Sequence, residues 1–335
     1  MALSSGRRRN SPLSPSSLVR PVFLFEKGGA FSFSGFMLGS AHIMNALKDT
    51  NLKIAIQKSG RMTEESERLL HEIGLDFENY KRQLFAVCRT FAAEVLFTRD
   101  DDIPEYVEKG SADLGIVGSN MVYEMGSDVE LLMPLGFGHC KLEVAVPQGS
   151  EIVTFEDLRG KRVATSYVES AKRFFQEKKI DAEIIPIRGS VEITPILGVA
   201  DAILDIVATG STLRANGLMS IGVVLESEAQ LIACKESLKH PEKAAQIKRI
   251  LMRIQGTLQA RHSKYIMMNA PTSAIEAIKA VVPGLKSPTI IPLQDEGWVS
   301  IHTVVNEERF WEVMEKLHDA GARDVLVVDI EKIIR

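Results

Sequence analysis

The sequence predicts an α/β protein built as two lobes with a smaller α/β domain behind them. Three observations carry this. Short β-rich runs alternate with helical stretches from residue 52 onward. The pattern restarts near Pro147. Beyond residue 262 a strand, helix, strand, strand, helix, strand order stands by itself. A chain of 335 residues with 45% apolar and 25% charged residues has material for two or three cores.

In the first unit, Leu52-Lys53-Ile54-Ala55-Ile56 reads as a strand, and residues 63–73 as a helix with Leu69, Leu70 and Ile73 on one side, stopped by Gly74. Residues 93–97 are strand-like. Asp102-Ile103-Pro104 opens a helix, with Asp102 as its cap, that ends at Gly110. Asp113-Leu114-Gly115-Ile116-Val117-Gly118 is a buried strand meeting a turn, so a mostly parallel sheet is expected. In the second unit Thr154-Phe155-Glu156-Asp157 is a capping pattern, followed by a strand at 162–165, a helix at 170–178 and strands at 182–186 and 202–208. The chain returns through 231–234 into a long helix from Pro241, with Ile247, Ile250, Leu251 and Ile254 in one stripe.

The implied boundaries are 51–146 with 227–259 for the first lobe, 147–226 for the second and 262–335 for the last domain. Gly136-Phe137-Gly138-His139-Cys140 is too incomplete for a dinucleotide fingerprint and suits a crossing loop. Two α/β lobes joined by crossing segments, the arrangement of periplasmic binding proteins, leave a cleft where ligands sit. In the last domain, strands at 265–268 and 325–329 flank a helix at 272–282 ended by Pro283-Gly284, a hairpin of 289–293 and 298–305, and a helix at 307–320 carrying Phe310, Val313, Met314 and Leu317. That βαββαβ order is ferredoxin-like.

Residues 1–50 read differently. Arg7, Arg8, Arg9 and Arg20 lie among Ser and Pro with no acid before Glu26, which points to a disordered extension. A targeting peptide, an interaction tail and an upstream artefact with Met44 as the true start all fit it. Glu26 and Lys27 interrupt the one apolar stretch there, so no membrane span is expected. The formal charge of −4 argues against a nucleic-acid partner. Cys88, Cys140 and Cys234 form no CxxC pair and the seven histidines no HExxH, so a disulfide framework and a zinc centre are both disfavoured, and a reduced, cytoplasmic setting is expected.

The strongest chemical signal is Ala202-Ile203-Leu204-Asp205-Ile206-Val207-Ala208-Thr209-Gly210-Ser211-Thr212-Leu213. An apolar strand delivers one carboxylate and breaks into a hydroxyl-rich turn whose N–H groups suit a phosphate, with Gly210 allowing close approach. Asp205 would face the hydroxyls of a sugar carrying that phosphate. A capped strand-to-helix turn is the better reading of the Thr-Gly-Ser-Thr string taken alone, and the preceding strand and acid turn the balance toward a phosphosugar site. The turn resembles the diphosphate loop of phosphoribosyltransferases, except that Leu204 replaces the first of two acids, leaving Asp201 as its substitute. Gln57-Lys58-Ser59-Gly60-Arg61 follows the first strand, where Lys58 and Arg61 would bring cations to the crevice or simply lie in a solvated loop. Arg99, ahead of Asp100-Asp101-Asp102, could contact nucleotide. Glu192, after Arg188-Gly189-Ser190-Val191, suits a ribose or a surface position.

Taken in order, IAIQKSGR, RDDDIP, DLGIVG, GKRVATSY, GSVE with ADAILDIVATGSTL, RIQG with QARHSKYIMMNAP, and SPTIIPL resemble ATP phosphoribosyltransferases of the long, self-regulated type over nearly all of 52–335. Residues 1–50 are not required by that family. The resemblance implies attack of adenine N1 of ATP on 5-phosphoribosyl diphosphate, with release of pyrophosphate and feedback inhibition by histidine. Mg²⁺ is implied as carried mainly by substrate oxygens, and the assembly as a homo-oligomer, dimer or hexamer. It assigns Thr209, Gly210, Ser211 and Thr212 to the 5′-phosphate and Asp205, with Asp201 and Glu192, to the ribose and its developing positive charge. Lys58, Arg61, Arg99 and Tyr167 go to ATP or pyrophosphate, and the last domain to histidine, for which we take Asn269, Ala270, Ser287 and Thr289 as candidates. A non-catalytic two-lobed receptor with a sensor domain, or a transferase acting on another base, shares the same outline.

Overall fold

The computed structural model describes residues 51–79, 83–282 and 287–334. The expectations for residues 1–50 and for a helix stop at Pro283-Gly284 lie outside them.

Lobe I is built from β1 (Leu52–Gln57), α1 (Thr63–Glu72), β2 (Phe85–Val87), β3 (Ala93–Thr98), α2 (Ile103–Glu108), β4 (Leu114–Gly118), α3 (Ser119–Met125) and β5 (Glu130–Pro134). Lobe II holds β6 (Cys140–Pro147), β7 (Arg162–Thr165), α4 (Val168–Lys178), β8 (Glu183–Pro186), β9 (Ala202–Val207), α5 (Ser211–Ala215) and β10 (Leu218–Ser227). The chain re-enters lobe I with β11 (Ala229–Ala233), α6 (Lys235–Lys239) and α7 (Pro241–Arg261). It finishes with β12 (Ser263–Pro271), α8 (Ile275–Val281), β13 (Thr289–Pro292), β14 (Trp298–Asn306), α9 (Phe310–Asp319) and β15 (Arg323–Asp329).

Lobe I is a six-stranded sheet ordered β2-β3-β1-β4-β11-β5, and lobe II a five-stranded sheet ordered β10-β6-β9-β7-β8. Each has a parallel centre, β3-β1-β4 or β9-β7-β8, extended by antiparallel strands. The sheets are therefore more mixed than the mostly parallel reading. Four strands escape that reading. β2 and β5 are short edge strands with largely exposed side chains, and β6 and β10 pair with each other antiparallel through two register shifts. Because β6 lies in the second sheet, lobe II begins at Cys140 rather than at 147. The crossing segments run alongside each other, with Leu135 N–H on the Ala229 carbonyl and Ala229 N–H on that of Phe137, both at 2.9 Å.

Packing follows the apolar patterns. β4 is buried along its whole length between β1 and β11. In α7 Ile247, Ile250 and Ile254 enter the lobe I core, where trimming Ile250 to Ala costs about 2–5 kcal/mol. Asp113, almost wholly buried, accepts hydrogen bonds from Lys53 N–H (2.8 Å), Ser237 Oγ (2.6 Å) and Lys243 Nζ (2.7 Å), tying the sheet to α6 and α7. Asp102 stands before α2, yet its side chain caps nothing. Its carbonyl, rather than its carboxylate, takes the Tyr106 N–H.

The last domain has sheet order β13-β14-β12-β15 with every pairing antiparallel, the ferredoxin-like pattern expected from βαββαβ. Ile266, Met268, Ala270, Ile301, Ile278 and Leu317 form its core beneath α8 and α9. After β15 the chain turns back onto α7, where Ile333 N–H meets the Gly256 carbonyl at 2.9 Å. A side chain at Gly256 would fall 3.0 Å from the Ile333 carbonyl oxygen, so glycine is what lets this tail lie down. Among the described residues no helix is long and apolar enough to cross a membrane.

Candidate functional site

The carboxyl ends of β1 and β4 in lobe I face those of β7 and β9 in lobe II across a cavity of about 460 Å³. Strand ends at a sheet edge leave loops free to serve a ligand while the sheets hold them rigid. β9 is buried from Ala202 to Leu204 and then emerges, so Asp205 is carried out of the core into the cavity wall. Its Oδ1 accepts the Ile206 N–H at 2.8 Å. Gly210 turns the chain with φ +70°, a conformation that other residues adopt only at a cost, and α5 starts at once. The first intrahelical bond runs from Arg214 N–H to the Gly210 carbonyl at 3.1 Å, so the N–H groups of Ser211, Thr212 and Leu213 precede it. Thr209, Ser211 and Thr212 are exposed, and the Thr209 and Ser211 hydroxyls touch at 2.9 Å. This turn can surround a phosphate with hydroxyl and amide donors.

The electrostatics single out Asp205. Burial pushes its carboxyl above the ordinary carboxylate range, and the charge of Glu192 adds to the rise. The Ile206 N–H and Arg61 pull the other way. Glu192, Asp100 and Arg61 share the wall of the same cavity, so Asp205 and Glu192 of lobe II face Arg61 of lobe I, which has Asp100 on its own side. Tyr167 stands between this cavity and a second one of about 600 Å³, and Asp100 and Met121 also belong to both. Burial drives the Tyr167 phenol well above its usual range, helped by the charges of Asp205 and Asp100. It is a neutral hydrogen-bonding group at any physiological pH.

The structure thus brings together Asp205, Glu192, Thr209, Gly210, Thr212, Arg61 and Tyr167. The Ser211 hydroxyl serves by holding that of Thr209. Arg99 lines the second cavity, though its guanidinium is engaged by Asp101 through two hydrogen bonds of 3.0 Å. Two expected residues lie elsewhere. Asp201 sits at the opposite end of β9, where Arg162 holds it by side-chain bonds of 2.9 and 3.2 Å and a backbone bond of 2.9 Å. Leu204, at the position of the family's first acid, is fully buried in the sheet, so no second carboxylate stands beside Asp205 from this strand. Lys58 is exposed, and its side chain borders neither cavity.

Asn120 belongs to the site although the sequence reading passed over it. It is 5% exposed, borders the main cavity and accepts the Ser227 Oγ–H at 2.8 Å, while its own N–H donates to Ser227 Oγ at 3.0 Å. Ser227 ends the strand that leads back to lobe I, so Asn120 lines the cavity beside that returning segment. Its partner lies 107 residues away, which no local motif reveals. Arg188 lines the second cavity with Tyr167, a placement that the string Arg188-Gly189-Ser190-Val191 does not reveal.

In the last domain Asn269 lies in a hollow of about 330 Å³ with Ser300 and Asp324, donating to Asp324 at 3.3 Å. Successive strand residues face opposite ways. Ala270 accordingly points into the core and is fully buried, so its side chain cannot share a pocket with that of Asn269. Thr289, on β13, pairs with His302 of β14, and β14 separates it from the β12 strand that holds Asn269. Ser287 precedes β13 and is exposed.

A family model described as ATP phosphoribosyltransferase matches residues 99–256, and one for the C-terminal domain of the same family, HisG, matches residues 260–332. An ATP phosphoribosyltransferase of Cytophaga hutchinsonii is 47% identical over 286 residues, covering 85% of this chain and 99% of that protein. One of Bacteroides thetaiotaomicron is 46% identical, covering 84% and 99%. Among solved structures, the ATP phosphoribosyl transferase (HisG:HisZ) complex from Thermotoga maritima matches with a TM-score of 0.54 and 26% identity, over 61% of this chain and 98% of that one.

Proposed function

The chain belongs to the ATP phosphoribosyltransferase family, and from that premise we infer that the cleft between its lobes is where a phosphoribosyl group passes to ATP. The enzyme is a pentosyltransferase of the first step of histidine biosynthesis. The observation that supports this use of the cleft is the exposed hydroxyl turn 209–212 beside a half-buried Asp205, facing Arg61 across the cavity.

The reaction asks for little covalent help. As N1 of the adenine forms a bond to the anomeric carbon, the bond to the diphosphate oxygen breaks and the sugar carbon gains positive charge. Positioning and charge stabilisation then dominate. Thr209, Gly210, Ser211 and Thr212 hold the 5′-phosphate. Asp205 and Glu192 accept the ribose hydroxyls and favour the developing cation, and the desolvation that raises the Asp205 pKa also strengthens its field at the reacting carbon. Arg61 takes diphosphate oxygens, while Tyr167, with Arg99 in the second cavity, lies against the nucleotide. The family uses a divalent metal. Mg²⁺ would be carried mainly by substrate oxygens and kept hydrated, and the carboxylates of Asp205 and Glu192, which line the same cavity, are hard donors that suit it. When bound, Mg²⁺ would neutralise charge on the leaving diphosphate.

The ferredoxin-like domain is assigned to feedback inhibition by histidine, and the assembly to a homo-oligomer, dimer or hexamer. Ala270 drops out of the effector set. The amide of Asn269, the hydroxyl of Ser300 and the carboxylate of Asp324 make the hollow on the open face of the sheet suitable for a small zwitterion. One assay tests the reading. Purified protein supplied with ATP, 5-phosphoribosyl diphosphate and Mg²⁺ is expected to release pyrophosphate only when both substrates are present, and to slow when histidine is added. No pyrophosphate would overturn the enzyme reading, and an unchanged rate at saturating histidine would overturn the regulatory one.

A further inference from the structure

We propose that Glu124 is a positioning residue for this reaction. It reaches from lobe I to the first turn of α4 in lobe II and thereby holds the cleft closed and Tyr167 in its wall. The proposal rests on the reading of the cleft given above. The Glu124 carboxylate accepts three hydrogen bonds from lobe II: Glu169 N–H at 3.0 Å, Ser170 N–H at 2.8 Å and Ser170 Oγ–H at 2.7 Å.

Two features set this apart from ordinary surface packing. A helix leaves its first N–H groups without partners, and the residue just before it commonly serves them from its own side chain. Here that residue is Tyr167, whose side chain makes no cap. Glu124, a residue of the other lobe, supplies the acceptor instead, and its negative charge suits the N-terminal end of α4. Ser170 is fully buried, so its hydroxyl is satisfied by Glu124 with no water in reach. A second contact lies one turn on. Arg173 donates to the Tyr123 carbonyl, and its guanidinium stands 4.7 Å above the Tyr123 ring.

Both contacts join α3 to α4, away from the crossing segments at 135–139 and 228. Hinge at one place and latch at another make lobe closure a two-state event. When the lobes part, Glu124 and the N–H groups of Glu169 and Ser170 pass to water, so the exchange is nearly balanced and the latch can reopen. Tyr167 directly precedes α4 and borders both cavities. Any movement of that helix end shifts its ring against the ligands. Loss of the latch lowers the closed population, and apparent affinity falls by the same factor.

The test uses the full chain with E124Q, S170A and the double variant. In E124Q the KM for 5-phosphoribosyl diphosphate is expected to rise about tenfold while kcat changes less than about threefold, since substrate can still draw the lobes together. S170A should move KM in the same direction, and the double variant should be no worse than E124Q, because both act through one bond set. Fluorescence transfer between dyes on the two lobes should report a wider ligand-free cleft in E124Q. A lower melting temperature with KM, coupling and dye distance all unchanged would overturn the proposal, leaving Glu124 a packing residue. If E124Q does not fold, the milder S170A carries the same readouts. Wild-type protein that yields no pyrophosphate would instead overturn the reading of the cleft, whereas the dye distance tests the latch without any reaction.

Discussion

Two aspartates at the two ends of β9 sit four residues apart, on the same face of one strand and about 13 Å from each other. Asp201, at the strand's start, meets Arg162 and two further bonds from that residue's main chain and side chain, and its carboxyl is held below the ordinary range chiefly by them. Asp205, at the strand's finish, meets a cavity, and burial raises its carboxyl. One charge is satisfied by the fold, so it contributes to holding β7 against β9. The other is left underpaired by the fold and is available to a ligand. The contrast teaches that a carboxylate's role here is set by which end of the sheet it occupies, since only the carboxyl end opens between the lobes.

The sharpest test of that contrast is D205N. It keeps shape and removes charge, and turnover is expected to fall by about 100-fold or more, while the ligand-free melting temperature rises by about 2 °C because an underpaired buried charge is gone. Near-normal turnover would remove Asp205 from the chemistry. R61Q comes next, with kcat/KM expected to drop about 30-fold through lost diphosphate binding, measured at fixed ionic strength. D201N should leave turnover within about twofold and lower the melting temperature by about 2 °C, a modest figure because the pair is partly solvated. K58A, which alters no cavity wall, should change kcat/KM by less than about twofold.

Acid sharpens the comparison further. Asp201, with its pKa lowered on folding, contributes stability above the ordinary carboxylate range and loses it as the pH falls through its depressed value, so the melting deficit of D201N should shrink in acid. Asp205, with its pKa raised, costs stability once ionised, and the cost disappears as the pH falls through the raised value. The gain of D205N should therefore also vanish in acid, from the opposite sign. Melting curves of both variants against wild type from neutral to acid pH check this. If D205N were less stable than wild type at neutral pH, the comparison between the two strand ends would fail.

Much of this was legible in the residues. The apolar run 202–207, the glycine with positive φ and the hydroxyls after it form one local unit, because a strand period, a left-handed turn and a helix start are each decided within a few residues. The βαββαβ order of the last domain was readable for the same reason, its helices and strands having clear periods. β6 and β10 were not, since they are defined by pairing with each other across lobe II through irregular registers. The candidate acids were recognisable by type, but Asp201 and Asp205 carry no mark that tells them apart. The partner of Asp201 lies 39 residues upstream in sequence.

The α/β class, the hydroxyl-rich turn after Asp205 and, through several motifs in order, the family were all readable from the residues alone, because each depends on neighbouring residues or on strings that keep their order. Long-range packing placed Asp205 in the cavity wall and Asp201 and Lys58 outside it, set Asn120 in that wall against Ser227, and put the Glu124 carboxylate against Ser170. Those outcomes depend on which strand ends and helix ends face one another. That is settled by packing and hydrogen bonds between residues far apart in the chain.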